Sequence, residues 1–234
     1  MNRQISDWTG IGAAMILSAT AFCSQQKSQA ELGARSSASI GLPEPVRDGK
    51  VSLEKALAAR RSVRHSSEQS LSLAEVSQLL WAAQGKTDER GFRTAPSAGA
   101  LYPLELYLAA ARVTGLKPGI YRYRPDTHLL NRVSEGERSA DLRRAALNQN
   151  SVGEAAAVVV IAAVYERVTR KYGDRGVRYT HMEAGHAAQN LLLQAQALGL
   201  GAVPIGAFND ESIKKIVGGS ADEHPLYLLP VGRP

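Results

Sequence analysis

The densest group of reactive side chains is Arg60-Arg61-Ser62-Val63-Arg64. Three guanidiniums and a hydroxyl within five residues can surround a phosphate with bidentate, charge-assisted hydrogen bonds. Arginines also favour a helix C-terminus, where they meet free carbonyls, so the cluster alone fits either use. A second stretch, Thr94 to Pro103, contains Ser97-Ala98-Gly99-Ala100-Leu101-Tyr102. Its small residues let backbone approach a flat ligand closely. A third, Gly199 to Ala207, ends a helix and brings Pro204-Ile205-Gly206-Ala207 out of a tight turn. The fourth is Lys171-Tyr172-Gly173, with Arg175, Arg178 and Tyr179 close by. A lysine beside a tyrosine can work as a general acid and base pair. Without context the same residues read as a basic loop leading into a long helix.

Other chemistries fail on spacing. No GxGxxG follows a strand-like run, and no GxSxG is present. Gly85-Lys86-Thr87 resembles the tail of a phosphate-binding loop, but position 80 is Leu where that loop needs Gly. Glu183-Ala-Gly-His186 has di-iron spacing without the second copy a di-iron bundle requires. Glu183, His186 and Asn190 share one helix face and are expected to form a buried polar network.

The elements that must position these groups can be read from capping and periodicity. Ser52 can N-cap a short helix into Arg60. Ser72 and Glu75 form a capping box before Leu73, Val76, Leu79, Leu80 and Ala83, which recur at helical spacing up to Gly85. Leu104 to Val113 reads as a strand. Tyr121 to Tyr123 and Leu129 to Val133 flank the Pro125-Asp126 turn as a hairpin. Ala140 to Asn148 suggests a helix. The apolar run Ala156 to Val164 predicts a strand covered on both faces. Tyr179 to Leu198 predicts a helix apolar nearly all round, lying between a sheet and a second helix layer or a partner subunit. Ala202 to Ile205 and Leu226 to Val231 complete the strands. Asn209 caps a helix with acids first and lysines last, as its dipole favours.

The chain has 234 residues, 44% of them hydrophobic and 21% charged, enough for a full core. Its net charge of +6 suits an anionic ligand. No Lys/Arg run with interleaved aromatics appears, so nucleic acid is not an expected partner. The single cysteine, Cys23, cannot make an internal disulfide or a multi-cysteine metal site. Residues 1–30 pair Arg3 with an apolar stretch, Ile11 to Phe22, and end in Ser28-Gln29-Ala30. That pattern predicts a signal peptide or membrane anchor and an exported, periplasmic or membrane-anchored protein, with a cytoplasmic one as the alternative. Residues 31–50 read as a linker or arm, and the domain is expected over 51–234.

Order and spacing together carry more than any one motif. Arg60 to Arg64, Pro96-Ser-Ala-Gly-Ala-Leu-Tyr-Pro103, Glu183-Ala-Gly-His-Ala-Ala-Gln-Asn190, Gly199 to Phe208 and Leu229-Pro-Val-Gly-Arg233 resemble the nitroreductase superfamily. More narrowly, the chain resembles its SagB-type azoline dehydrogenase branch, from Leu42 to Pro234. The resemblance implies an α+β fold, an antiparallel-rich sheet wrapped by helices, in a domain-entwined homodimer with two FMN sites at the interface. It implies that Arg60, Arg61, Ser62, Arg64 and Arg233 hold the flavin phosphate and ring edge. Ser97, Ala98, Gly99 and Leu101 would come from the facing subunit, under the ring. Pro204, Ile205, Gly206 and Ala207 would approach its reactive edge. Lys171 would be the base that completes oxidation of a peptide azoline to an azole, and Tyr172 its partner. In that branch the flavin takes the hydride, and the protein supplies position and electrostatics. Those dehydrogenases work with a cytoplasmic cyclodehydratase, which an exported chain would not meet, so other organic donors stay open. The alternatives are an NAD(P)H-dependent nitro or quinone reductase and an exported flavin-binding protein without enzymatic activity.

Overall fold

Capping chemistry sets the first element ends in the computed structural model, which describes residues 39–234. After strand β1 (Ser39–Gly41), helix α1 (Leu53–Ala59) starts at Ser52, whose hydroxyl accepts the Lys55 N–H at 3.3 Å. Strand β2 (Leu71–Ser72) runs directly into α2 (Leu73–Gln84), and here the capping box is complete. Ser72 Oγ accepts the Glu75 N–H at 3.2 Å, and the Glu75 carboxylate accepts the Ser72 N–H at 2.7 Å. Strands β3 (Leu104–Ala110), β4 (Val113–Thr114), β5 (Gly119–Arg124) and β6 (Leu129–Glu135) follow. β5 and β6 form the hairpin expected around Pro125-Asp126. Helices α3 (Ser139–Ala145) and α4 (Asn150–Glu154) lead to β7 (Ala157–Ala163). Helix α5 (Glu166–Tyr172), the 23-residue α6 (Arg175–Ala197), β8 (Gly201–Ala202), α7 (Asp210–Val217) and β9 (His224–Gly232) complete the order.

Seven strands form one sheet in the order β1-β6-β5-β3-β7-β9-β8, and its paired neighbours are antiparallel. β2 and β4 make a small parallel pair beside it. All seven residues of β7 are buried, as its unbroken apolar run predicts. Side chains alternate between the faces with the period of two that a strand imposes. Val159 and Ile161 pack with Leu106, Leu108 and Leu229 toward α2 and α6. Val158 and Val160 pack with Tyr107 and Leu228 toward α3, α4 and α7. The result is a helix–sheet–helix sandwich, the α+β architecture expected.

Two expectations change. Residues 31–50 are expected to lie outside the folded unit as an arm, but those from Ser39 onward belong to it. Ser39–Gly41 pairs with β6, Leu42 is buried, and Val46 exchanges both backbone hydrogen bonds with the Gln78 side chain. Backbone and side-chain amide bonds hold this segment, so it needs no apolar periodicity. The long helix starts at Arg175, four residues before the expected Tyr179, and within this one chain it buries one face. Met182 stays 53% exposed within the chain, and Val177 is exposed too. Among the described residues no helix is long and apolar enough to cross a membrane. The leader over 1–30 lies outside the described residues.

Candidate functional site

The arginine segment leaves α1 and becomes a sheet-edge neighbour. Ser62 bridges Ala202 in parallel, and the Val63 N–H donates to the Ala202 carbonyl at 3.1 Å. Gly201 allows this approach, because a Cβ there would stand 2.6 Å from a Val63 methyl. Further on, the Ser67 N–H donates to the Arg233 carbonyl at 2.9 Å. The fold thus gathers Arg60–Arg64, the start of Gly201–Ala207 and the Arg233 backbone at one edge. The guanidiniums differ in what they do there. Arg61 folds back on the carbonyls of Ala58 and Arg60 at 3.0 and 2.8 Å, the helix-end role. Arg233 holds the Glu75 carboxylate at 2.9 and 3.1 Å, so it is already engaged. Arg60 and Arg64 have no salt-bridge partner among the described residues, which leaves both available to an anion. Pro204 to Ala207 continue from β8. Ile205 exchanges two backbone bonds with Leu228 at 2.8 and 2.9 Å, while Gly206 and Ala207 are exposed.

A second group forms around Ser97–Leu101. Ser97 Oγ accepts the Tyr102 N–H at 2.9 Å and closes a turn in which Gly99, Ala100 and Tyr102 all take positive φ. Two of these are not glycine, and left-handed backbone in non-glycine residues clusters at functional sites. Lys171 and Tyr172, which without context read as a basic loop, are helical. They occupy the last turn of α5, which Gly173 ends. Both reach the turn: a Cβ on Gly99 would stand 2.8 Å from Tyr172 Oη and 3.0 Å from Lys171 Nζ. The Tyr179 ring meets the Tyr172 ring edge-on at 5.3 Å. An amine, a phenol and a backbone turn therefore converge around one Cα. Among the described residues no hydrogen bond joins this group to the arginine edge.

The expected polar network on α6 forms in part. Asn190 donates to the Thr94 carbonyl at 3.2 Å and ties the turn's root to the helix. His186 is exposed and takes no part, because its direction on the helix is away from the core. Glu183 is only 2% exposed. Burial pushes its carboxyl up to about 7, against smaller opposing pulls from Ser97, Arg93 and Gln84. Those neighbours are close enough to act on the charge, yet neither carboxylate oxygen is in hydrogen-bonding geometry with them. Gln84 and Arg93 join the site without having been singled out for it. Gln84 belongs to the α2 pattern, and the Arg93 ring contact over Tyr102, at 4.5 Å, carries no local sequence signal.

Residues 57–233 match the model of the Nitroreductase family. A protein of Methanocaldococcus jannaschii named as a nitroreductase is 50% identical over 184 residues, covering 79% of this chain and 92% of that protein. A solved structure from Anabaena variabilis, also named as a nitroreductase, is 31% identical with a TM-score of 0.75. The match covers 84% of this chain but 42% of that one, so this chain spans less than half of it. The microcin B17-processing protein McbC of Escherichia coli is 29% identical over 136 residues, 56% of this chain and 50% of McbC. A chain in the solved E. coli microcin synthetase McbBCD complex with truncated pro-MccB17 bound shares the fold at a TM-score of 0.65 and 24% identity. That match covers 87% of this chain and 80% of the other.

Proposed function

Because the chain belongs to the nitroreductase family, oxidoreductases that generally depend on flavin, we propose that it binds FMN as a homodimer and acts as a SagB-type dehydrogenase. Its substrate is an organic donor that loses a hydride and a proton, a peptide azoline being the model case. The observation that carries this reading is the convergence of Lys171 Nζ and Tyr172 Oη on Gly99. The likeness to McbC, named as microcin B17-processing, supports the same branch.

The donor set fits a flat, anionic cofactor. Arg60 and Arg64 would hold the phosphate, with Ser62 beside them and Arg61 and Arg233 fixing the edge. The Ser97–Leu101 turn offers backbone and little side-chain bulk to a ring. Two halves of a site that do not meet within one chain suit a second copy. Leu53 and Leu57 of α1, 61% and 52% exposed, supply apolar surface for it, as do Val177 and Met182 of α6. Bound FMN supplies the hydride acceptor. The Lys171 amine takes the proton released from the substrate carbon, and Tyr172, steadied by Tyr179, holds that amine and the substrate in register.

The test is an absorbance spectrum of the FMN-loaded protein, followed during turnover of an azoline substrate. Lys171→Ala should keep the flavin spectrum and lose turnover. A fully active Lys171→Ala variant sinks the assignment. A second reading, an NAD(P)H-dependent nitro or quinone reductase, is favoured by the name of the 50%-identical relative. Rapid anaerobic bleaching by NADPH would select it.

A further inference from the structure

Glu183 is a buried titratable group for which the proposed chemistry has no use, and unlike Glu223, which Tyr107 and Arg122 hold, it lacks a hydrogen-bond partner. It sits in the middle of α6, beneath the root of the Ser97–Leu101 turn, with both carboxylate oxygens unpartnered. From α2, Gln84 approaches, itself fully buried, and its Nε2 is unpartnered as well. Gln84 Oε1 accepts from Arg93 Nη1 at 3.0 Å, and the Arg93 guanidinium covers the Tyr102 ring. From the turn, Ser97 Oγ accepts the Tyr102 N–H, which leaves its own proton to give. Thr180 and Asn190, on the same helix, spend their side chains on the Gly176 and Thr94 carbonyls. Among the described residues, Arg93 is the one charged side chain that bears on the carboxyl.

Leaving a buried polar group unbonded is costly, and an apolar residue of the same shape would avoid that cost. Buried orphans in a native structure call for a reason, and a role at a reaction site is one of few. Here the orphan carboxyl, the orphan amide and a free hydroxyl proton meet under the turn that also touches Lys171 and Tyr172. We propose that Glu183 is a positioning residue that sets the Ser97–Leu101 turn against Lys171 and Tyr172, acting through Ser97 and Arg93. The inference rests on the reading of that turn as the bed of the flavin ring. The neutral acid does the positioning, since its carbonyl oxygen can accept from Ser97 without drawing on Arg93. Once ionised, it pulls Arg93 away from Gln84 and Tyr102 and shifts the turn.

The test compares wild-type protein with Glu183→Gln and Glu183→Leu. FMN affinity is measured by fluorescence quenching from pH 6 to 8.5, with a thermal melt of each apoprotein. Wild type should lose affinity as pH rises past 7, by up to tenfold per unit if only the neutral acid supports binding. Glu183→Gln should bind as wild type does at pH 6 and stay flat across the range. Glu183→Leu should melt at or above the wild-type temperature yet bind FMN at least tenfold more weakly. A Glu183→Gln profile that falls with pH as wild type does overturns the proposal, and this comparison stands even if Glu183→Leu fails to fold. Wild-type affinity in a folded Glu183→Leu overturns it as well. If wild type takes up no FMN at any pH, the underlying flavin reading fails instead.

Discussion

Gly99→Ala separates the backbone of the turn from its neighbours, with Gly91→Ala as the control. Both glycines have positive φ, 63° and 86°, and a Cβ on Gly91 would meet nothing within 4 Å. An alanine in this conformation costs about 1–2 kcal/mol. Stiffening the unfolded chain returns about 0.4–1 kcal/mol. Each variant should therefore lose up to about 1.6 kcal/mol, a melting shift of no more than about 6 °C for a domain this size. At Gly91 that is the whole effect. At Gly99 the methyl stands 2.8 Å from Tyr172 Oη and 3.0 Å from Lys171 Nζ, too close for both. These are the free ends of flexible side chains, so they move aside and the fold holds. Displacing reacting groups by about 1 Å can cost on the order of a hundredfold in rate. Calorimetry on both variants and a single-turnover measurement of flavin reduction read the two effects separately. Similar melts with a large rate loss in Gly99→Ala alone are expected. A Gly99→Ala variant that reduces its flavin at the wild-type rate, or an equal rate loss in Gly91→Ala, refutes the reasoning.

Three further perturbations test the frame around the site. The folded chain keeps a proton on Glu183 from 4.5 up to about 7, where the unfolded chain has released it. Its stabilising share is complete below pH 4.5 and fades as pH rises through 7, by roughly 3 kcal/mol. Urea unfolding at pH 5 and 8 should show most of that loss in wild type and not in Glu183→Gln; parallel losses would contradict burial as its cause. Ser72→Ala removes the hydroxyl half of the α2 capping box and should cost about 1 kcal/mol in the same assay. No measurable loss would mean that Glu75 caps α2 alone. Gly201→Ala drives a methyl into the branched Val63 side chain and should cost about 1–3 kcal/mol. On the proposed reading it should also weaken FMN binding by pushing Ser62 off β8, and an unchanged affinity would remove that pairing from the proposed cofactor site.

Local chemistry was legible and long-range capture was not. The caps at Ser52, Ser72 and Asn209 depend on residues three positions away, and the structure has all three. β7 could be read because a strand covered on both faces must be apolar throughout. β1 could not, since its partner β6 lies some ninety residues on and the pairing uses backbone. The same distance effect hid the turn's meeting with Lys171 and Tyr172. Residue types marked both as candidates, while only the fold brings Gly99 beneath an amine more than seventy residues later. Glu75 had one visible duty, the cap, and its second, holding Arg233, needed the last strand in place. The long helix looked apolar all round because sequence counts side chains, whereas a single chain gives it neighbours on one face.

The place of β9 in the sheet has a consequence for synthesis. β7 is made about seventy residues before the strand that covers its other edge is complete. At roughly 5–20 residues per second, that interval lasts several seconds. Until it closes, Ala-Val-Val-Val-Ile-Ala-Ala presents an open edge of β-branched residues, the kind that recruits foreign strands. The arginine segment waits too, because its β8 neighbour and the Ser67–Arg233 bond come with the same late stretch. During synthesis, the sheet's middle and the arginine edge are therefore finished in one event, when the stretch from β8 to β9 is in place.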